Sequence, residues 1–110
     1  MAEVIIVDGT TYYQKPVMGS IILVRTYSAG VHFGTLKSRN GKEVVLKNAR
    51  RLWQWSGACS LHQVAMDGVN LSGSKISVPV PEVTLTEAIE LIPMSEAAGS
   101  KMMEAKSWRK

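Results

Sequence analysis

The sequence predicts a mainly β domain of the α+β class, either a small, partly open barrel or a curved antiparallel sheet of five to six strands. Segments rich in β-branched and aromatic residues recur along the chain, and turn-forming residues separate them. Only two stretches carry the signals of a helix start. The 110 residues suit a single domain covering 1–110. Because a sheet this small buries little surface, we expect a homo-oligomer.

The N-terminal part, 1–20, is predicted to hold a strand and a turn. Its apolar run from Val4 to Val7 is short and follows an acidic residue, which is unlike a secretory signal peptide. The most apolar window, 17–24, is also far shorter than the roughly 20 residues of a membrane-spanning helix. The sequence therefore predicts a cytoplasmic protein with no membrane partner.

The region from 21 to 55 is predicted to form a four-stranded meander. Gly30 suits the first turn, and Asn40-Gly41 supplies two residues that favour the positive φ angles of a tight hairpin. Gly34 is expected at a bulge or at a close approach of two backbones. The predicted strands cover 21–27, 31–38, 43–47 and 49–55.

The fourth of these strands combines basic and aromatic residues. Alternate residues of a strand share a face, so one face carries Arg51, Trp53 and Trp55, and the other carries Arg50, Leu52 and Gln54. Such a face can stack nucleobases while arginines, Arg25 included, hold phosphates. In the alternative interpretation a tryptophan packs in the core and the lysines of the hairpin form a solvated surface.

Two helices are predicted. Ser60 and Gln63 have the spacing of a capping box, which indicates a short helix near 60–67 that ends at Gly68. Ser95 can cap a C-terminal helix near 95–108. That helix would turn Ala98, Met102 and Ala105 inward.

Two further segments lie between the predicted helices. The segment 76–80 alternates apolar residues with polar residues and proline, which is typical of an edge strand. The segment 84–92 fits either a helix or a strand, and we favour a strand.

Charge is unevenly distributed along the chain. The net charge is +4, but the segment 25–51 holds seven basic residues and one acidic residue. The segment 82–104 holds five acidic residues and one basic residue. A basic face that docks on an acidic face of another copy would also build an oligomer.

The sequence gives little support for catalysis, and we expect neither a cofactor nor a metal ion. Cys59 and His62 could pair as nucleophile and base, but no residue is placed to orient the imidazole, and a structural cysteine is the commoner outcome. One Cys and two His are too few for a structural zinc site. His32 lies beside a glycine-containing turn whose amides could contact a phosphate, although the lysine of a P-loop is missing.

Two runs of the sequence are distinctive: Tyr27-Ser28-Ala29-Gly30-Val31-His32, and Ala49-Arg50-Arg51-Leu52-Trp53-Gln54-Trp55-Ser56-Gly57-Ala58 with Ser60-Leu61 following. With these runs the sequence resembles a family of short uncharacterised proteins of tailed bacteriophages. The resemblance covers 23–108 and leaves 1–20 outside. It implies a phage or prophage origin and expression in the cytoplasm of the bacterial host, and it implies no catalytic residues.

These observations favour a phage-encoded, non-catalytic binding protein that acts in the host cytoplasm, with antagonism of host defences as one role. Its partner would be a nucleotide-like ligand or a host protein. Two alternatives remain open: a small-barrel module for RNA or single-stranded DNA, and a structural or decoration component of the virion. The residues predicted to line one ligand pocket are Tyr27, His32, Arg50, Arg51, Trp53 and Trp55.

Overall fold

The computed structural model describes the backbone of 4–7 and 10–13 and all of 19–109. Within these residues the chain is mainly β, with an open, six-stranded antiparallel sheet and two helices, as predicted. Strands β1 (Val4–Val7) and β2 (Thr10–Tyr13) form a separate hairpin. The six-stranded sheet consists of β3 (Ile21–Thr26), β4 (Val31–Asn40), β5 (Glu43–Gln54), β6 (Lys75–Ile76), β7 (Val80–Leu85) and β8 (Ala88–Pro93). The helices are α1 (Leu61–Asp67) and α2 (Glu96–Met103).

The six-stranded sheet curls, because its last two strands join opposite edges. Strands β8, β3, β4 and β5 follow one another, and both β6 and β7 pair with the far edge of β5. Leu85 in β7 pairs with β5, and Ala88 in β8 already pairs with β3. Only two residues separate these partners, so the two edges must approach each other at this corner. The amide of Ala88 also donates to the carbonyl of Lys42, 3.0 Å away.

The curled sheet has a buried core on each face. Successive residues of β3 point to opposite faces, so Ile22 and Val24 join the inner core and Leu23 joins the outer one. Helices α1 and α2 cover the outer core. The inner core contains Ile22, Val24, Leu36, Val44, Leu46, Ala49, Leu85 and Ala88. The outer core contains Leu23, Phe33, Leu52, Val64, Ala65, Val69, Ile76, Met94, Ala98 and Met102.

A bulge interrupts β5, which is one strand where the sequence predicted two. The pairing with β4 slips so that Asn48 and Ala49 lie opposite Gly34, and Asn48 has a φ of 51°. A Cβ at Gly34 would lie 2.9 Å from the carbonyl oxygen of Lys47. The predicted bulge and close approach at Gly34 are therefore confirmed. An extra residue in one strand also shifts which of its side chains face each core.

The hairpin between β4 and β5 is confirmed, but its turn is displaced by one residue. Asn40 pairs with Glu43, so the central residues are Gly41 and Lys42 rather than Asn40 and Gly41. Gly41 has a φ of 61°, and Asn40 does not have a positive φ. A glycine at the first central position suits the backbone twist of a two-residue hairpin, which allows Asn40 to remain in the strand.

Helix α1 agrees with its prediction, whereas α2 is shorter than predicted. The hydroxyl of Ser60 accepts from the amide of Gln63, and Gly68 follows the last helical residue with a φ of 79°. Ser95 caps α2 in the same way, through the amide of Ala98. The helix ends at Met103 instead of continuing to Trp108, because the residues that follow turn back toward β6.

The segments between the helices are strands, as favoured, but they divide differently. The predicted edge strand 76–80 is interrupted after Ile76, and the chain resumes strand pairing at Val80. The ambiguous segment 84–92 contains the end of β7, a two-residue corner and most of β8. No helix in the described part of the chain is long and apolar enough to cross a membrane.

Candidate functional site

A cavity of about 300 Å³ lies beside the inner core, between β4, β5 and the segment that connects β6 to β7. His32 and Arg51 line it and are directly paired across β4 and β5. Both therefore lie on the inner face, near the end of the strands that is remote from the hairpin. The lining residues are His32, Ala49, Arg50, Arg51, Ser77, Val78, Val80 and Val83.

Arg51 connects this cavity with an exposed tryptophan. Its Cζ atom lies 4.3 Å from the centroid of the Trp53 ring, which is a cation–π distance. The two residues stand on the same face because they are two positions apart in β5. Gly30, with a φ of 81°, makes room for the guanidinium, since a Cβ there would lie 2.9 Å from Nη2 of Arg51. Gly30 thus serves both the predicted turn and the position of Arg51.

Trp53 and Trp108 form a stacked pair on the surface. Their ring centroids are 6.2 Å apart and their planes are inclined by 22°. Trp53 is 52% exposed and Trp108 is 42% exposed. Nζ of Lys75 lies 5.0 Å from the centroid of Trp108. We call Arg51, Trp53, Lys75 and Trp108 the indole platform, in which each aromatic ring has its own cation.

Arg50 also lines the cavity, but its guanidinium is bound by the protein itself. The side chain is buried, and Nε donates to the carbonyl of Ser77 at 2.9 Å. Nη1 donates to the carbonyls of Met102 and Met103 at the end of α2, and Nη2 donates to the hydroxyl of Ser107. Burial lowers the pKa of Arg50, although a guanidinium stays charged at neutral pH. Its position is that of a cation at a helix C-terminus.

His32 lines the cavity wall, and its ring contacts the backbone of the turn before β4. Burial lowers its pKa below the ordinary value of 6.5, the contact with the carbonyl of Ala29 raises it, and the charge of Arg51 lowers it further. Nε2 lies 2.9 Å from the carbonyl oxygen of Ala29. In the neutral ring this nitrogen must carry the proton and donate, which assigns Nδ1 as an acceptor.

Three of the six predicted site residues are not in the cavity lining: Trp53 adjoins it through Arg51, and the other two lie elsewhere. Tyr27 is 79% exposed in the loop between β3 and β4, where its amide donates to the carbonyl of Glu87. Trp55 follows the end of β5 and packs against the outer core. The expectation that Trp55 shares a face with Arg51 and Trp53 was wrong, because strand geometry ends at Gln54.

The structure therefore brings four of the six predicted residues into one region. His32, Arg50 and Arg51 line the cavity, and Trp53 adjoins it through Arg51. Two members of the platform, Lys75 and Trp108, were missed. The sequence marks Trp108 only as a tryptophan among basic neighbours. Its contact with Trp53 depends on how the chain returns after α2.

The basic and acidic segments of the sequence lie side by side in the sheet. Nε of Arg25 is 3.0 Å from Oε1 of Glu90, and Nζ of Lys37 is 2.7 Å from Oε1 of Glu82. The partners meet because β8 pairs with β3, and β7 lies along the β4–β5 hairpin. Two basic residues of the segment 25–51 are thus paired with two acidic residues of the segment 82–104.

Cys59 is exposed immediately before α1, and its amide donates to the side chain of Gln63. His62 is exposed in the first turn of α1. Within the described ranges, no three or more His, Cys, Asp or Glu residues are grouped so that they could hold a metal ion.

Comparisons with known proteins place the chain in a family. Neither the curated proteins nor the solved structures gave a match. A family described as "Domain of unknown function (DUF6948)" matches residues 19–102. The matched range begins just before β3 and ends within α2, so it contains the whole six-stranded sheet and α1. Because it covers well over half of the 110 residues, the chain belongs to the DUF6948 family.

Proposed function

We propose that this protein is a non-catalytic binding protein that captures a small, nucleotide-like ligand at the cavity and the adjoining Trp53. The observation that carries the proposal is the position of Arg51. Arg51 lines the cavity, and its guanidinium lies over the ring of Trp53. A ligand in the cavity therefore meets a cation and an exposed aromatic ring at the same place.

The chemistry of the three groups is complementary to a nucleotide. A guanidinium binds phosphate through parallel N–H donors. An indole ring can stack on any of the nucleobases. His32 offers an acceptor at Nδ1 that suits a sugar hydroxyl or an amino group of a base. These roles assign the phosphate to Arg51 and the base to Trp53.

Size and charge favour a small ligand over a long nucleic acid. A volume of about 300 Å³ lies at the lower end of the range for small-molecule sites. The two ion pairs found among the described residues occupy Arg25 and Lys37, which removes part of the basic surface that a nucleic acid would use. Arg51 and Lys75 take part in neither pair.

The proposed setting is a bacteriophage or prophage protein in the cytoplasm of a bacterial host. This setting is supported by the resemblance of the sequence to short tailed-phage proteins. Removal of a signalling nucleotide would make the protein an antagonist of host defences. We propose in addition that the protein is a homo-oligomer; the blocking of a host protein is the alternative to ligand capture. A virion component is the competing role, which detection in purified particles would establish.

The test is a titration of tryptophan fluorescence with nucleoside monophosphates and, in parallel, with a single-stranded oligonucleotide. We expect saturable quenching by at least one monophosphate. Substitution Arg51→Ala is expected to weaken binding at least about tenfold, because a charge-assisted contact is lost. Arg39→Ala removes an exposed cation of the β4–β5 hairpin and serves as the matched control with unchanged affinity.

Two results would reject the proposal. One is the absence of quenching by every monophosphate at millimolar concentration. The other is tighter binding of the oligonucleotide with a steep loss of affinity in salt, which would establish the nucleic-acid module instead.

A further inference from the structure

The residues after α2, 104–109, form a tail that returns to the indole platform. The amide of Trp108 donates to the carbonyl of Ile76, 2.8 Å away, which places the tail along the outer edge of β6. The Trp108 ring then stacks on Trp53 and lies under Nζ of Lys75. One side of the platform therefore belongs to the sheet, and the other side belongs to the tail.

The two ends of the tail are held to different degrees. Its start is anchored, since the carbonyls of Met102 and Met103 bind the buried Arg50 and Ala105 packs against the outer core. Its tip is held by fewer contacts: the bond from the Trp108 amide to Ile76, a 3.2 Å bond from Arg50 to Ser107, and the stacked ring, which is 42% exposed. A chain end with few contacts and an exposed side chain opens at a lower free-energy cost than a packed segment. The tip can move while the start stays in place.

We propose that Trp53 and Trp108 form a clamp that binds one planar heteroaromatic ring, such as a nucleobase, between their two indole rings. This inference rests on the proposed function and deepens it. The ring of the ligand would stack on both indoles, and Arg51 and Lys75 would bind its anionic groups. The tail thereby becomes part of the binding site.

The observed geometry requires only a small opening. Stacked aromatic rings are separated by roughly 3.5 Å, so a ring held between two indoles needs them about 7 Å apart. The centroids are now 6.2 Å apart in an inclined, offset pair. Because the 6.2 Å joins ring centroids and not ring planes, the tip must move outward by about one ring thickness, roughly 3.5 Å, to create the space. Among the described contacts, this motion breaks those of Ser107 and Trp108.

The charges of the platform select among planar ligands. Arg51 lies beside Trp53 and Lys75 lies beside Trp108, so each indole ring of the clamp has a cation next to it. A cationic ring would be repelled by both. A neutral ring that carries phosphate gains stacking from the indoles and ion pairing from the two cations. A nucleotide has this combination.

The test compares the full-length wild type with Trp108→Ala, Trp108→Phe and Lys106→Ala, using the monophosphate that the wild type binds best and ribose 5-phosphate as probes. Trp108→Ala is expected to weaken binding of the nucleotide by about ten- to a hundredfold, the range for loss of one stacked base. Trp108→Phe should stay within a few-fold of the wild type. Lys106→Ala, an exposed change in the same tail, should have no effect.

Binding of ribose 5-phosphate, which has no base, should not depend on residue 108. If Trp108→Ala binds the nucleotide as tightly as the wild type, or more tightly, the clamp is rejected. Trp108 would then only shield the ring of Trp53 until a ligand displaces it. The proposed function then still stands, because wild-type binding and its loss in Trp53→Ala test it separately. A wild type that binds no monophosphate rejects both.

Discussion

Arg50 and Arg51 are neighbours with opposite roles. Alternation along β5 sends Arg50 toward the helix-covered outer core and Arg51 toward the inner face. Arg50 is buried with four hydrogen bonds to the protein, whereas Arg51 is half-buried against Trp53. One arginine therefore holds the fold together, and the other is placed for a ligand.

We predict that Arg50→Ala lowers the free energy of unfolding by about 2–4 kcal/mol, because it leaves the carbonyls at the end of α2 and on Ser77 without their charged donor. Arg51→Ala should cost less than about 1 kcal/mol, the size of an exposed cation–π contact. Urea denaturation of both variants measures the difference. Equal losses would contradict the structural role of Arg50.

His32 should make stability depend on pH. Because the fold holds its pKa below the ordinary value of 6.5, the unfolded chain takes up a proton at a higher pH than the folded chain does. The stability that His32 contributes is complete above pH 6.5 and is lost as the pH falls through its folded pKa. Unfolding at about pH 7.5 and about pH 5.5 should show this loss in the wild type and a smaller one in His32→Gln.

The exposed His62 provides the control for this experiment. His62→Gln makes the same change of side chain at an exposed position of α1, away from the cavity. A pH dependence that is the same in His32→Gln and the wild type would contradict the role of His32.

At single positions, the sequence predicted alternation but could not predict burial. The two faces of 49–54 follow from strand geometry, and Arg51 and Trp53 do share a face. Which face the helices would cover depends on where α2 ends. The acceptors of Arg50 are carbonyls of Met102 and Met103, about fifty positions away, and no local pattern indicates them.

Among the strands, the bulge in β5 does most to position the site. The extra residue at Asn48 and Ala49 shifts the alternation, so that Val44 and Leu46 before it and Arg51 and Trp53 after it share the inner face. Without the bulge, Arg51 and Trp53 would face the outer core. Gly34 was the sequence signal for it.

We predict that Asn48→Val lowers the free energy of unfolding by about 1–2 kcal/mol, because a β-branched residue tolerates a positive φ poorly. Asn48→Gly should be close to neutral, since glycine adopts this conformation freely. Thermal unfolding of the two variants measures the contrast. A valine variant as stable as the glycine variant would contradict the left-handed backbone at this bulge.

Local signals predicted the starts of the helices better than their ends. The caps at Ser60 and Ser95 are short-range hydrogen bonds and could be read from the sequence. The end of α2 depends on Arg50, and the return of the tail depends on Ile76. These two contacts bring Trp108 back to Lys75 and Trp53, which is why the sequence did not predict Lys75 and Trp108 as members of the platform.

For the molecule as a whole, the curl of the sheet explains how the charges are distributed. Residues 80–93 cross from one edge of the sheet to the other, so Glu90 meets Arg25 of β3 and Glu82 meets Lys37 of β4. The sequence showed the uneven charge but not which charged side chains meet, because strand order decides that. Docking of a basic face on an acidic face of another copy stays a prediction.

Neutralising these ion pairs should have little effect on stability. Both pairs are largely exposed to solvent, so Glu82→Gln and Glu90→Gln should each lower the free energy of unfolding by no more than about 1 kcal/mol. The effect should shrink further at high salt. Urea denaturation at low and high ionic strength provides the measurement, and a loss of several kcal/mol would contradict this weak role.

The central claim is that the molecule holds a phosphate-bearing ligand at Arg51 and Trp53. Mass spectrometry of the protein purified from bacterial cells, under native and then denaturing conditions, tests it most directly. We expect a small phosphate-containing compound to be retained by the wild type, or to be taken up from added nucleotides, and to be absent from Arg51→Ala and Trp53→Ala. A wild type that neither retains nor takes up any such compound would contradict the claim.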